Sequence, residues 1–344
     1  MSWDLTSSGT IRWSYHDCAT KSGDDRTDEY GVARMDYALA PRPAVLHSET
    51  ATAQLTLLPP GSSGAKAPKG QLLKWIGNKQ RLAEEISSYF PTRFGTYFEP
   101  FVGSGALLAT LAPNRAIASD TFRPLIEIWQ ALQAEPDTLK SWYAERWSRM
   151  MESPDRVVAY EEIKASYNAS PNGADLAFLC RSCYGGVVRF RKRDGYMSTP
   201  CGPHRPISPE SFADRVDEWR YRTIGASFAQ LPFDDAMRAA QPGDLIYCDP
   251  PYTHSQAILY GAQEFSFEAL LLAIGACKKR GVSVALSIDG VKRSGTEVCE
   301  LPLPKGLFER EILIDCGRSM LKRFQMNGRS LEDHVVADRL LLTY

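Results

Sequence analysis

The chain has 344 residues, more than one average domain, and its 44% hydrophobic and 24% charged residues suit a globular protein, so an α/β core with a second module or insertion is expected. A formal net charge of −1 excludes a nucleic-acid-binding surface spread over the whole molecule, so any such surface must be local. No run of about 18 apolar residues and no charged-then-apolar leader occurs, which points away from a membrane span and from secretion, and toward a cytoplasmic protein with reduced, mostly buried cysteines.

Residues 1–69 show no sustained period of 2 or 3.6 and close on the linker-like Pro59-Pro60-Gly61-Ser62-Ser63-Gly64, so they read as an N-terminal extension. Leu82, Ile86 and Tyr89 then recur at helical spacing up to Pro91. Gly95 to Phe98 reads as a strand that runs into Glu99-Pro100-Phe101-Val102-Gly103-Ser104-Gly105, with a helix from Ser104 to Ala112. A second strand, Ala116 to Ser119, ends at Asp120. From Leu125 the pattern is helical (Leu125, Ile128, Trp129, Leu132) to roughly Tyr184, with breaks near Pro136 and Pro154.

The character changes at Arg181 to Arg193, which carries Arg181, Arg189, Arg191, Lys192 and Arg193 without an acid. Asp194-Gly195 marks a tight turn, and Pro200, Gly202, Pro203, Pro206 and Pro209 give the following stretch an irregular reading. Regular α/β patterning resumes with the apolar strand Leu245-Ile246-Tyr247-Cys248, which ends in Asp249-Pro250-Pro251-Tyr252. A helix from about Phe267 to Lys279, capped by Ser266, and a strand from Val282 to Ile288 follow. Phe308 to Ile314 and Val335 to Leu342 read as two strands that add an antiparallel edge.

Two segments carry chemistry. A glycine loop between strand and helix lets backbone amides approach a ligand closely, and an acid ending the next strand can accept both ribose hydroxyls; Gly103, Gly105 and Asp120 fit that nucleoside-cofactor pattern. The third glycine of a dinucleotide fingerprint is lacking. In Asp249-Pro250-Pro251-Tyr252 the prolines end the strand's ladder and leave the Pro250 carbonyl exposed beside a carboxylate. Together these can accept both protons of an exocyclic amine while Tyr252 stacks on the base. The bland alternative is a strand-ending turn with a buried tyrosine. Cys180, Cys183, Cys201 and His204 have a spacing that zinc could use, but Leu176, Leu179, Cys180 and Cys183 share one helical face; core thiols without a metal are the preferred reading.

Lys74-Trp75-Ile76-Gly77-Asn78-Lys79, Phe98-Glu99-Pro100-Phe101-Val102-Gly103-Ser104-Gly105 and Asp249-Pro250-Pro251-Tyr252, in this order, resemble the Dam-type (class alpha) DNA N6-adenine methyltransferases over about residues 72–344. The resemblance implies a Rossmann-like α/β methyltransferase sheet built from 70–122 and 243–344, with 123–242 as an inserted helical and basic target-recognition region. It implies S-adenosyl-L-methionine as cofactor, held by Trp75, Lys79, Glu99, Phe101, Gly103, Gly105, Asp120, Asp249 and Asp235, with Asp234 an adjacent competitor for the last position. Asp249, Pro250 and Tyr252 would be catalytic on a flipped adenine of double-stranded DNA, and Tyr184, Arg189, Arg191, Lys192 and Arg193 would contact the DNA. A monomer is expected, with a cognate restriction endonuclease left open as a partner. N4-cytosine or RNA methylation on the same fold, and a DNA-binding homologue without catalysis, are the alternative readings.

Overall fold

A computed structural model of the chain describes residues 2–5, 11–14, 66–191, 193–251, 265–292, 303–318 and 335–344. It divides into two units, 1–57 and 58–344. In the first, β1 (Ser2–Leu5) and β2 (Ile11–Ser14) form an antiparallel ladder running from Ser2 opposite Ser14 to Leu5 opposite Ile11.

The second unit is built on a seven-stranded sheet in the order β5-β4-β3-β6-β7-β9-β8. Its strands are β3 (Tyr97–Glu99), β4 (Ala116–Asp120), β5 (Ala226–Gln230), β6 (Leu245–Cys248), β7 (Ser283–Lys292), β8 (Arg310–Arg318) and β9 (Val335–Leu342). β3 to β7 are mutually parallel. Continuous apolar runs such as Leu245-Ile246-Tyr247-Cys248, buried at every position, are what a parallel strand covered on both faces demands. Alternate residues feed two separate cores: Tyr97, Leu245 and Tyr247 pack on one face, and Phe98, Ile246 and Cys248 on the other.

The chain leaves β3 outward through β4 and β5, then returns to β6 on the other side of β3. That reversal opens a crevice at the carboxyl ends of β3 and β6, where doubly wound sheets bind ligands. The last two strands add the expected antiparallel pair at the sheet's edge, with their order reversed. β9 runs antiparallel between β7 and β8, so the antiparallel strand is internal, and β8 at the edge regains the direction of the parallel set.

Helices α1 (Ala83–Ser88), α2 (Ala106–Leu111) and α3 (Arg123–Ala134) follow the pattern read from the sequence. α4 (Pro136–Glu152) begins on its proline, and α5 (Arg156–Ala169) is capped by Asp155, whose carboxylate accepts from the Val157 amide at 2.8 Å. α6 (Gly173–Ser182) buries Leu176, Leu179, Cys180 and, just past its end, Cys183, as the shared face predicts.

The stretch read as irregular holds three elements. α7 (Pro209–Arg222) starts from a Ser208 cap and buries Phe212, Val216 and Trp219 at i, i+4, i+7. β5 extends the sheet beside β4, and α8 (Phe233–Ala239) follows it. Sheet structure therefore resumes at Ala226, inside the 123–242 segment expected as an insert, because a short strand at the sheet's edge needs only one apolar face: Ala226 and Phe228 are buried, Ser227 and Gln230 exposed. α9 (Phe267–Lys279) is capped by Ser266, which accepts from the Ala269 amide at 3.2 Å. Among the described residues no helix is long and apolar enough to cross a membrane.

Candidate active site

The carboxyl ends of β3, β4 and β6 open into a cavity of about 370 Å³. Its wall includes Trp75, Lys79, Glu99, Phe101, Gly103, Asp120, Asp249 and Pro250, so the two sequence segments read as chemical share one space. The parallel register brings them together: Tyr97 and Phe98 lie opposite Leu245 and Ile246, which sets the segment leaving β3 alongside the segment leaving β6.

Gly103 adopts φ +43°, and a Cβ there would stand 3.3 Å from the Trp75 indole, so only glycine leaves the loop unstrained against that ring. Its carbonyl accepts from Trp129 Nε1 at 3.2 Å. Gly105, at φ +61°, sits behind the wall and starts α2, with its Cα side pressed against Trp129. Asp120 accepts the Phe122 amide at 3.0 Å. Burial pushes its carboxyl up to about 6 despite the amides of Phe122, Gly103 and Thr121.

Glu99 ends β3 and is buried; Tyr97 Oη, two residues earlier on the same strand face, donates to Glu99 Oε2 at 2.8 Å. Burial raises the Glu99 carboxyl to about 8, with the Tyr97 bond opposing and the Asp249 charge adding to the shift.

Lys79 is buried, and its ammonium donates to Asp249 Oδ1 at 2.9 Å and lies 3.5 Å from Asp338 Oδ2. Burial by itself would lower Lys79, but Asp249, Tyr247 and Asp338 around it hold it well above the ordinary lysine range, and it stays charged. Asp338, on β9, was not among the expected site residues. Its signal was an acid, followed by Arg339, set between Val335-Val336-Ala337 and Leu340-Leu341-Leu342.

Further along the cavity Phe101 stacks on Phe233, with ring centroids 5.4 Å apart, and Phe265 closes on both edges. Phe233 and Phe265 also escaped the sequence reading, the first because it follows β5. Asp234 lines the cavity and Asp235 does not: successive positions of a helix diverge by about 100°, so the two acids opening α8 cannot face the same way. Both pair with Arg238. Tyr252 and Lys192 lie outside the described residues.

Beyond α6 the basic segment folds back on itself. Arg191 N donates to the Tyr196 carbonyl and Ser198 N to the Arg189 carbonyl, each at 2.9 Å, and the turn is Asp194-Gly195. Tyr184, Arg189 and Arg193 are exposed. Asp194 pairs with Arg191 at 3.0 Å and Arg193 at 3.3 Å, while the Arg191 guanidinium lies 4.1 Å over the Tyr196 ring. Among the described residues no three His, Cys, Asp or Glu side chains gather as metal ligands. Cys180 and Cys183 are buried, and burial raises both thiols.

The family profile of the D12 class N6 adenine-specific DNA methyltransferases matches residues 75–294, which includes both chemical loops. The chain belongs to this family. A DNA adenine methylase of Vibrio cholerae serotype O1 is 30% identical over 228 residues, covering 62% of this chain and 79% of the relative. One from Haemophilus influenzae is 28% identical over 235 residues, with 64% and 79% covered, and the retron Ec67 DNA adenine methylase of Escherichia coli is 32% identical over 189 residues, with 53% and 63% covered. The chain is thus an adenine-specific DNA methyltransferase on a Rossmann-like sheet.

Proposed function

We propose that the chain transfers the methyl group of S-adenosyl-L-methionine to N6 of an adenine flipped out of a specific site in duplex DNA. One observation carries the reading: the Gly103 loop and the Asp249 turn, at adjacent strand ends, open into one cavity.

The residues fit the cofactor. Gly103 leaves space beside Trp75, Asp120 offers a carboxylate to ribose hydroxyls, and the Phe101 and Phe233 rings offer apolar faces to an adenine. Glu99, its carboxyl raised to about 8 and so mostly protonated in neutral solution, would ionise against a cationic ammonium. When bound, the cofactor supplies an electrophilic methyl on a sulfonium; the rest is done by the chain.

Asp249 and the Pro250 carbonyl accept the two N6–H bonds and so turn the nitrogen lone pair toward the methyl. As the N6–carbon bond forms and the carbon–sulfur bond breaks, positive charge grows on N6. The Asp249 carboxylate stabilises that charge, and the amine then gives up one proton to the nearest acceptor or to solvent. Lys79 fixes Asp249 from behind, and Tyr252 stacks on the base. No covalent enzyme intermediate is required.

Recognition would fall to the helices between β4 and β5 and to the exposed basic segment with Tyr184, Arg189, Arg191 and Arg193, where arginines reach phosphates and base edges. A monomer acting in the cytoplasm, with or without a restriction endonuclease, fits this reading. Nucleoside mass analysis of duplex DNA incubated with the chain and the cofactor tests it: N6-methyladenine is expected, and its absence from every DNA tried would overturn it.

A further inference from the structure

Lys79 and its two acids are drawn from three distant parts of the chain, and of the two acids only Asp249 has a role in the proposed transfer. Asp338 is carried to the site by the sheet. Leu341 lies opposite Leu286, which lies opposite Cys248; three residues further toward the start of β9, Asp338 stands opposite Asp289, at the same end of the sheet as Asp249. It is 7% exposed, and its Oδ2 is 3.5 Å from Lys79 Nζ, which is itself 5% exposed.

A buried carboxylate is costly unless an opposite charge meets it, and Lys79 already meets Asp249 at 2.9 Å. A single Lys79–Asp249 pair would be electrically neutral. The second acid changes the sum: one ammonium with two carboxylates leaves one negative charge. An ammonium can donate three hydrogen bonds, so it can serve both acids at once. The surplus charge stands next to the turn where, on the reading above, positive charge grows on N6 during transfer. Nearby, Tyr247 Oη donates to Ser287 Oγ at 2.9 Å, and Tyr97 Oη holds Glu99 at 2.8 Å.

We propose that Asp338 is a positioning residue for methyl transfer: by sharing the Lys79 ammonium it keeps Asp249 from being fully neutralised and so leaves that carboxylate a strong acceptor for the substrate amine. This rests on the proposed role of Asp249. Asp338 would act only through Lys79 and would touch neither cofactor nor base.

The test uses the full chain, single-turnover methyl transfer to duplex DNA, and calorimetric titration with S-adenosylhomocysteine. Asp338→Asn keeps size and shape and leaves Lys79 paired with Asp249, so the fold should stand. The chemical step is expected to slow at least about tenfold, while affinity for S-adenosylhomocysteine stays within about threefold, and Asp338→Glu should recover part of the rate. A purely structural role would move melting temperature without this split. The second comparison sets Lys79→Met beside Lys79→Met/Asp338→Asn: with the ammonium gone, removing the acid as well should slow transfer no further. A wild-type chemical rate in Asp338→Asn, or multiplying losses in the double variant, would overturn the proposal. If the wild-type chain makes no N6-methyladenine the reading of the whole site fails; if it does and Asp338→Asn matches it, only the role of Asp338 fails.

Discussion

Lys79 Nζ donates to Asp249 Oδ1 at 2.9 Å across 170 residues of sequence, tying the segment before α1 to the turn after β6. The ammonium is buried and flanked by a second acid, Asp338, so its removal leaves carboxylates without their counter-charge. Lys79→Met should therefore destabilise the chain by about 3 kcal/mol or more, since breaking one side of a buried ion pair strands the other. Denaturant unfolding measures this. A loss below about 1 kcal/mol would show that water or other donors replace the ammonium.

Glu99 predicts a pH dependence of stability. Its folded carboxyl is raised to about 8 from 4.5, so the folded state binds a proton that the unfolded chain releases. Its contribution is complete below about pH 4.5 and is lost as pH climbs through 8. Unfolding free energy of the wild type, taken relative to Glu99→Gln, should fall over pH 5 to 8 with a slope of at most about 1.4 kcal/mol per pH unit. Cofactor affinity should move the other way, tightening as pH rises through 8, because the ionised carboxylate is the form that meets an ammonium. Parallel pH curves for the two proteins would show that Glu99 has no part in either effect.

Much of this site can be read directly from sequence, and the reason is punctuation. β3 and β6 are short buried runs that end in glycines or prolines, so both the strands and the loops they present can be read locally. What resists reading is set by tertiary packing. β5 has only two buried residues and follows a helix in a proline-rich stretch, so neither it nor Phe233 behind it stands out. Asp234 and Asp235 are distinguished by helical phase alone. The approach of Asp338 to Lys79 depends on β9 entering the sheet between β7 and β8, an insertion no local pattern specifies. α7 is different: Ser208-Pro209 and the spacing of Phe212, Val216 and Trp219 were present as signals, and the prolines before them masked the helix.

Gly103→Ala places a Cβ at φ +43° and 3.3 Å from Trp75. The backbone strain is about 1 kcal/mol, and the ring must shift into space assigned to the cofactor. Affinity for S-adenosylhomocysteine should drop at least about tenfold by calorimetry while duplex DNA binding holds. Unchanged affinity would place the cofactor elsewhere.

The exposed basic turn predicts a salt signature. Replacing Arg189, Arg191 and Arg193 with Gln should weaken DNA binding and reduce the slope of log affinity against log salt by about 2 to 3, close to 0.9 for each phosphate no longer neutralised. Arg191 and Arg193 already pair with Asp194, so a smaller change would mean that they keep that partner in the complex.

Methyl transfer is assigned above to Asp249, whose turn must grip the amine beside a donor held at the Gly103 loop. The direct measurement is single-turnover methyl transfer by Asp249→Ala, alongside calorimetry with S-adenosylhomocysteine. Loss of N6-methyladenine formation in a folded protein that still binds S-adenosylhomocysteine is the predicted result. Transfer at the wild-type rate would contradict it.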